Sequence, residues 1–249
     1  MFESTVPFGE PELMRASGYE RYLQEQQSRA EREGISSRIS SLSPSLRADL
    51  YRFEVDGGSS EVLEVVAACV RHAKSVTIHL QSENRVVPLT VFPHDGLVHC
   101  PLPMPELLGD RIAGLRVLHV EPALLRPPGD PQQALVGELR MHYALAPVLW
   151  MLALRGTRSE LLPEIAGPAV YRVTPGLDLH GLELTGALLS VVLRLRREST
   201  NLRGIAEWPG MDRDRAVRLL NALYLQAGLI LSRSHPDAVG DGWFGARSR

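Results

Sequence analysis

Lysine is almost missing from this chain: of 27 basic residues only Lys74 is not arginine, a bias typical of GC-rich bacterial coding that says nothing about mechanism. Cysteine is nearly as scarce. Cys69 and Cys100 lie in different segments without CxxC spacing, which suits two reduced, buried thiols better than a disulfide framework. A long apolar run is also lacking. The longest, YALAPVLWMLAL at 143–154, contains a proline and falls well short of the roughly 20 residues that span a bilayer, so it reads as a buried helix. The opening MFESTVPFGEPELM has no basic region followed by an apolar core, so no export signal is expected and the chain is read as cytoplasmic. Nor is there charge of one sign. With a net charge of −2, no global field recruits nucleic acid or anionic lipid, and any nucleic-acid contact must come from a local patch. GxGxxG, GxxxxGK[ST], GxSxG and HExxH are all absent; no enzyme and no cofactor are expected.

What is present supports an organisation. At 249 residues and 44% hydrophobic, the chain can form two compact units joined by a connector. Residues 1–45 read as a helical arm with a Ser-rich linker, SSRISSLSPS, at 36–45. The arm's apolar residues, Leu13, Met14, Tyr19, Tyr22 and Leu23, all fall in the first half of its helical stretch. A small α/β domain follows over 46–126. Its helix, SSEVLEVVAACVRHA at 59–73, has apolar residues at helical spacing and Ser59 or Ser60 as N-cap. Four β-branched runs come next: VTIHLQ, RVVPLTVF, LVHCPL and LRVLHVEP. Pro88 inside the second marks an edge or a bulge. RPPGDP at 126–131 closes this unit, and 127–165 holds a long connecting helix over 132–155, kinked at Pro147. Residues 166–236 form the second unit and 237–249 a tail. The fold class is therefore α+β, with a short, mainly antiparallel sheet.

VFPHDGLVHCPLP, 91–103, packs two histidines, an aspartate and a cysteine together. Asp95-Gly96 between two strand-like runs signals a hairpin, because glycine takes positive φ without steric cost. Strand alternation then places Val98 and Cys100 on the core face and His99 on the other, as Ile78 and Leu80 oppose His79. His99 and Cys100 are adjacent in sequence, so they point apart and cannot share a proton. His79, His99 and His119 each occupy a different strand, which makes a metal or ligand site centred on these strands a third alternative for function. The spacing matches no metal signature, and no metal is expected there. Gly57-Gly58-Ser59-Ser60 ahead of a helix is a faint phosphate-loop hint that also fits an ordinary helix start.

Residues 184–233 give three helical patterns in order: 184–197; 202–207 behind Ser199 and Thr200; and 212–226, with Val217, Leu220, Leu223 and Tyr224 on one face. Gly228 is expected to stop the third, ahead of the strand-like LILSR. Thr200, Leu202, Ile205 and Ala206, then Leu220 and Leu223 ahead of Gly228-Leu229-Ile230, resemble a winged helix-turn-helix over about a fifth of the chain. That resemblance implies DNA binding first. The charges do not press the case. Across 180–235 eight arginines face five acids, and the third helix opens Asp212-Arg213-Asp214-Arg215, placing acids where a recognition helix approaches phosphate.

Winged helices also serve as docking modules in bacterial signalling proteins, and the mixed-charge third helix suits that use. The expected function is a bacterial regulatory adaptor acting through a protein partner, with self-association as a further expectation. Tyr19, Tyr22, Leu23 and Trp208 are the candidate contact residues. The alternative is a DNA-binding transcriptional regulator using Arg213, Arg215 and Arg218.

Overall fold

Alternation of β-branched residues along 76–92 builds the centre of the molecule. A computed structural model gives the fold and describes residues 13–33, 42–55, 62–109, 112–129 and 139–238. Strands β1 (Val76–Ser82), β2 (Arg85–Phe92), β3 (Leu97–His99), β4 (Arg116–Pro122) and β5 (His142–Ala144) form one antiparallel sheet in the order β4-β1-β2-β3-β5. Val76, Ile78 and Leu80 pair with Val91, Leu89 and Val87 on one face, and all are buried. Helix α3 (Val62–Arg71) covers the core with Val62, Val65, Val66 and Cys69, the face that the 59–73 spacing anticipates. Ser59, Ser60 and the Gly57-Gly58 pair lie outside the described residues. The α+β class and the mainly antiparallel sheet are as expected.

Pro88 sits inside the sheet, and its tolerance has a specific cause. Ser82 and Arg85 close the β1–β2 hairpin, so alternation makes His79–Pro88 a pair without ladder hydrogen bonds, and the proline nitrogen points away from β1. On that side β3 reaches only Thr90 to Phe92. The sequence beside Pro88 is thus a local edge within a central strand. Val86 on the same side donates to the Met14 carbonyl at 2.9 Å.

The connecting helix is shorter than its apolar run suggests. Residues 139–141 form a 3-10 turn, His142–Ala144 are strand β5, and helix α5 begins only at Leu145 and ends at Arg155. A continuous apolar run has no period to separate strand from helix. Tyr143 pairs with Val98 and completes the sheet edge instead. Pro147 falls in the first turn of α5, where backbone N–H groups have no intrahelical acceptor, so it costs no hydrogen bond and gives no kink. Residues 130–138, the start of the expected helix, lie outside the described residues.

Helix α2 (Pro44–Val55) packs beside α3, and the short α4 (Met104–Leu107) follows β3. The C-terminal part contains β6 (Val170–Val173), α6 (Gly186–Leu195), α7 (Leu202–Ala206), α8 (Arg213–Leu225) and β7 (Leu229–Ser232), with β6 and β7 paired antiparallel. Helix α5 packs against both α3 and α8, and Trp150 at its centre is fully buried. One cluster of buried residues consequently runs from Leu42 to Leu223. The core is continuous across the boundaries expected at RPPGDP and between residues 165 and 166. No helix of the described residues is long and apolar enough to cross a membrane.

Candidate functional site

The sheet face opposite α3 carries polar side chains in a straight row. Strand register makes Glu121, Thr77, Thr90, His99 and His142 successive cross-strand partners, so the row crosses all five strands. Thr77 and Thr90 are buried and share a hydroxyl hydrogen bond at 3.0 Å. His79 and His119 pair in the neighbouring row, with ring centroids 6.0 Å apart, and His79 Nε2 bonds Glu121 Oε1 at 3.0 Å. His99 instead lies beside His142, at 4.9 Å between ring centroids. The three strand histidines therefore divide into two places, with β1 and β3 about 10 Å apart across β2. Metal–nitrogen bonds of about 2 Å cannot reach across that gap. Among the described residues no group of three His, Cys, Asp or Glu side chains is placed to hold a metal. His142 escapes a reading of the sequence because its segment has the composition of a helix.

The N-terminal arm lies over one end of this face. In α1 (Ala16–Glu33), Ala16, Tyr19 and Leu23 recur at helical spacing and pack with Val86 and Leu118. The Tyr19 ring stacks on His79 at 4.9 Å, and Ala16 N–H donates to Asn84 O at 3.0 Å. Of the arm residues proposed for partner contact, Tyr19 is 7% exposed and Leu23 is half-buried, so both anchor the arm; Tyr22, 40% exposed, faces outward.

A charged brace joins α2, α3 and the 160–165 loop. His72 Nε2 bonds Asp49 Oδ2 at 2.7 Å, while Arg71 meets both Asp49, at 3.4 Å, and Glu164. Ser45 Oγ stands 3.4 Å from His72 Nδ1, at the outer limit of a hydrogen bond and exposed to water. Asp49 thereby meets two basic groups at one helix end. Arg158 adds an ion pair with Glu64 and bonds the carbonyls of Glu160 and Leu161. Sequence spacing gives no hint of this brace, since its members come from three separate segments.

The C-terminal helices place the remaining candidates. Asp212 caps α8 by accepting the Arg215 N–H at 2.8 Å. Ala216, Val217, Leu219, Leu220, Asn221, Ala222 and Leu223 are all buried, which leaves only a narrow strip of the helix open. Arg213 donates to Ser159 O at 3.3 Å and Arg218 to Leu154 O at 3.5 Å, both at the end of α5 or just beyond it. Arg215 is the one of the three that is exposed. Trp208 is half-buried against the core, with the Arg194 guanidinium 4.2 Å above its ring centroid. Helix α8 ends at Leu225 rather than at the glycine, and Ala227 takes the positive φ of 51°. Gly228 is needed for another reason. A Cβ there would stand 2.5 Å from a Leu177 methyl carbon.

Strand β7 pairs with β6, which precedes the helices, and Thr200 adds a bridge on β6's other side through Tyr171. After β7 the chain turns back, and Asp237 O accepts from Asn201 Nδ2 at 3.0 Å. Comparison of the chain with protein-family models, with characterised proteins and with solved structures finds no match.

Proposed function

We propose that this chain is a bacterial cytoplasmic regulatory adaptor, with a winged-helix-like C-terminal part that docks protein rather than reading DNA. The observation that carries the reading is the state of α8. A helix that enters a groove must present several side chains to base edges and phosphates. Here most of the circumference is core, and two of the three arginines are bonded to backbone carbonyls at the end of α5. A second observation agrees: β7 pairs with β6, and among the described residues no further strand follows β7 to make a hairpin beyond α8. Continuity of the core through α5 makes a rigid scaffold on which Tyr22 and the exposed leucines of α6 stand outward.

The test is affinity of the whole chain for random duplex DNA, measured by fluorescence anisotropy at physiological salt. The adaptor reading expects binding weaker than about 10⁻⁴ M, below the usual non-specific range. Binding tighter than about 10⁻⁶ M with a steep salt dependence would transfer the function to the DNA-binding alternative.

A further inference from the structure

Helix α2 presents Ser45 and Asp49 one turn apart, and both meet the His72 ring. Asp49 Oδ2 lies 2.7 Å from Nε2, and Ser45 Oγ lies 3.4 Å from Nδ1. A carboxylate only accepts, so Nε2 carries the ring hydrogen and the lone pair of Nδ1 faces the hydroxyl. The backbone behind the imidazole is closely held. His72 N–H donates to Ala68 O at 3.0 Å, Ala73 follows at a φ of 49°, and Lys74 N–H returns to Cys69 O at 3.1 Å, which closes the end of α3. Arg71 adds a second contact to the same Asp49 oxygen at 3.4 Å. His72 and Asp49 are half-buried, whereas Ser45 is exposed.

We propose that Ser45, His72 and Asp49 act as nucleophile, base and orienting carboxylate in acyl transfer, with an ester of a short acyl chain as the substrate class. An activated hydroxyl requires a base within reach and a third group that fixes the tautomer of that base, and this chain of contacts supplies both. Such hydrogen bonds are often long before substrate binds, as the 3.4 Å contact is here. Ser45 follows Pro44 as the second residue of α2, so its N–H falls in the first turn, where donors have no intrahelical acceptor. That N–H and the positive end of the helix favour the oxygen that becomes negative when a carbonyl is attacked. In the first step Ser45 Oγ bonds to the carbonyl carbon while its proton passes to His72 Nδ1. The carbon–oxygen bond to the alcohol then breaks, and the alcohol leaves with that proton. Water next gives a proton to Nδ1 as it attacks the acyl-serine; the proton returns to Ser45 Oγ as the carboxylic acid departs. Ser45 stands open to water, which suits short acyl chains. This activity goes beyond the adaptor reading and does not rest on it.

The full chain, treated with a fluorophosphonate probe and mapped by mass spectrometry, should carry the label on Ser45, and Ser45→Ala should carry none. His72→Ala should slow labelling about 100-fold or more, and imidazole added to that variant should restore part of the rate. A residue that only braced the fold would not be replaced by free imidazole. The parent chain should also hydrolyse p-nitrophenyl acetate faster than Ser45→Ala does. If His72→Ala fails to fold, the position of the label and the comparison with Ser45→Ala, an exposed substitution, decide alone. A parent chain that takes no label overturns the proposal, as does label on a different serine or equal ester hydrolysis by the parent and Ser45→Ala. A folded His72→Ala variant that labels at the parent rate, or that imidazole does not rescue, overturns it too.

Discussion

The Asn221 carboxamide, fully buried on α8, accepts the Leu162 N–H at 2.9 Å, and its nitrogen donates to Glu160 O at 3.0 Å. One side chain thus satisfies two backbone groups of the loop between α5 and β6. Leucine at 221 would strand the buried Leu162 N–H, at about 1–3 kcal/mol, while Glu160 O would keep its bond from Arg158 Nε at 2.7 Å. Asn221→Leu should therefore lower unfolding stability by roughly 1–3 kcal/mol. Urea denaturation measures it. A loss under about 1 kcal/mol would mean that the loop is held by other contacts.

The arm provides a local version of the same test. Tyr19 is buried against His79, whereas Tyr22, less than one turn further on, is exposed. Tyr19→Ala should release α1 from the sheet and speed trypsin cleavage at Arg21, with little effect on the global transition. Tyr22→Ala should leave stability within about 0.5 kcal/mol and change only partner binding. Equal cleavage rates in the two variants would contradict the anchoring role of Tyr19.

Much of the fold is legible in the sequence because local signals agree with the tertiary result. The 59–73 spacing, the Asp95-Gly96 turn and the alternation around His79 and His99 each specify a face, and the structure uses those faces. Residues 142–144 mislead for a physical reason: an unbroken apolar run has no period, and pairing of Tyr143 with Val98 decides its start as strand. Gly228 looks like a helix stop because glycine tolerates positive φ, but Ala227 takes that role and Gly228 makes room for Leu177. The polar row and the Asp49 brace are not legible at all. Each depends on register or contact between segments distant in sequence, and no short window contains more than part of either.

Alanine at positive φ gives a prediction of its own. Ala227, with φ of 51°, closes α8 in a conformation that costs a side chain roughly 1–2 kcal/mol and glycine almost nothing. Ala227→Gly should stabilise the chain by about 0.5–1 kcal/mol once the added entropy of the unfolded glycine is set against the relieved strain. Gly228→Ala should do the reverse, through collision with Leu177. Thermal unfolding of the pair checks both signs.

Burial pushes the Cys69 thiol up to about 12 and the Cys100 thiol up to about 11, from an ordinary value of 9.0. Both should be silent to a thiol-reactive dye at pH 8 in the native chain and reactive in denaturant. The sign for stability follows from proton counting. Above pH 9 the unfolded thiols lose protons that the folded ones keep, so stability should fall as pH rises from 9 towards 11–12. Cys69→Ala should flatten part of that decline. An unchanged slope would place the pH dependence on other groups.

The three arginines of α8 separate structural from nucleic-acid roles. Arg218 reaches Leu154 O in the last turn of α5, where carbonyls lack intrahelical donors and the helix dipole favours a cation; Arg213 holds Ser159 O just beyond. Removing either should cost about 0.5–1.5 kcal/mol of stability. Arg215, exposed beside Asp212 and Asp214, should cost nothing measurable when changed to alanine. A DNA reader predicts another pattern: all three substitutions weaken duplex binding, and removing each arginine–phosphate pair reduces the slope of log affinity against log salt by roughly one. Stability and duplex affinity measured on the same three variants therefore discriminate. If Arg215→Ala alone lowers duplex affinity tenfold while leaving the unfolding midpoint unchanged, α8 presents a nucleic-acid surface and the adaptor reading fails. If Arg213→Ala and Arg218→Ala lower the midpoint and duplex binding is weak throughout, these arginines fasten α8 to α5.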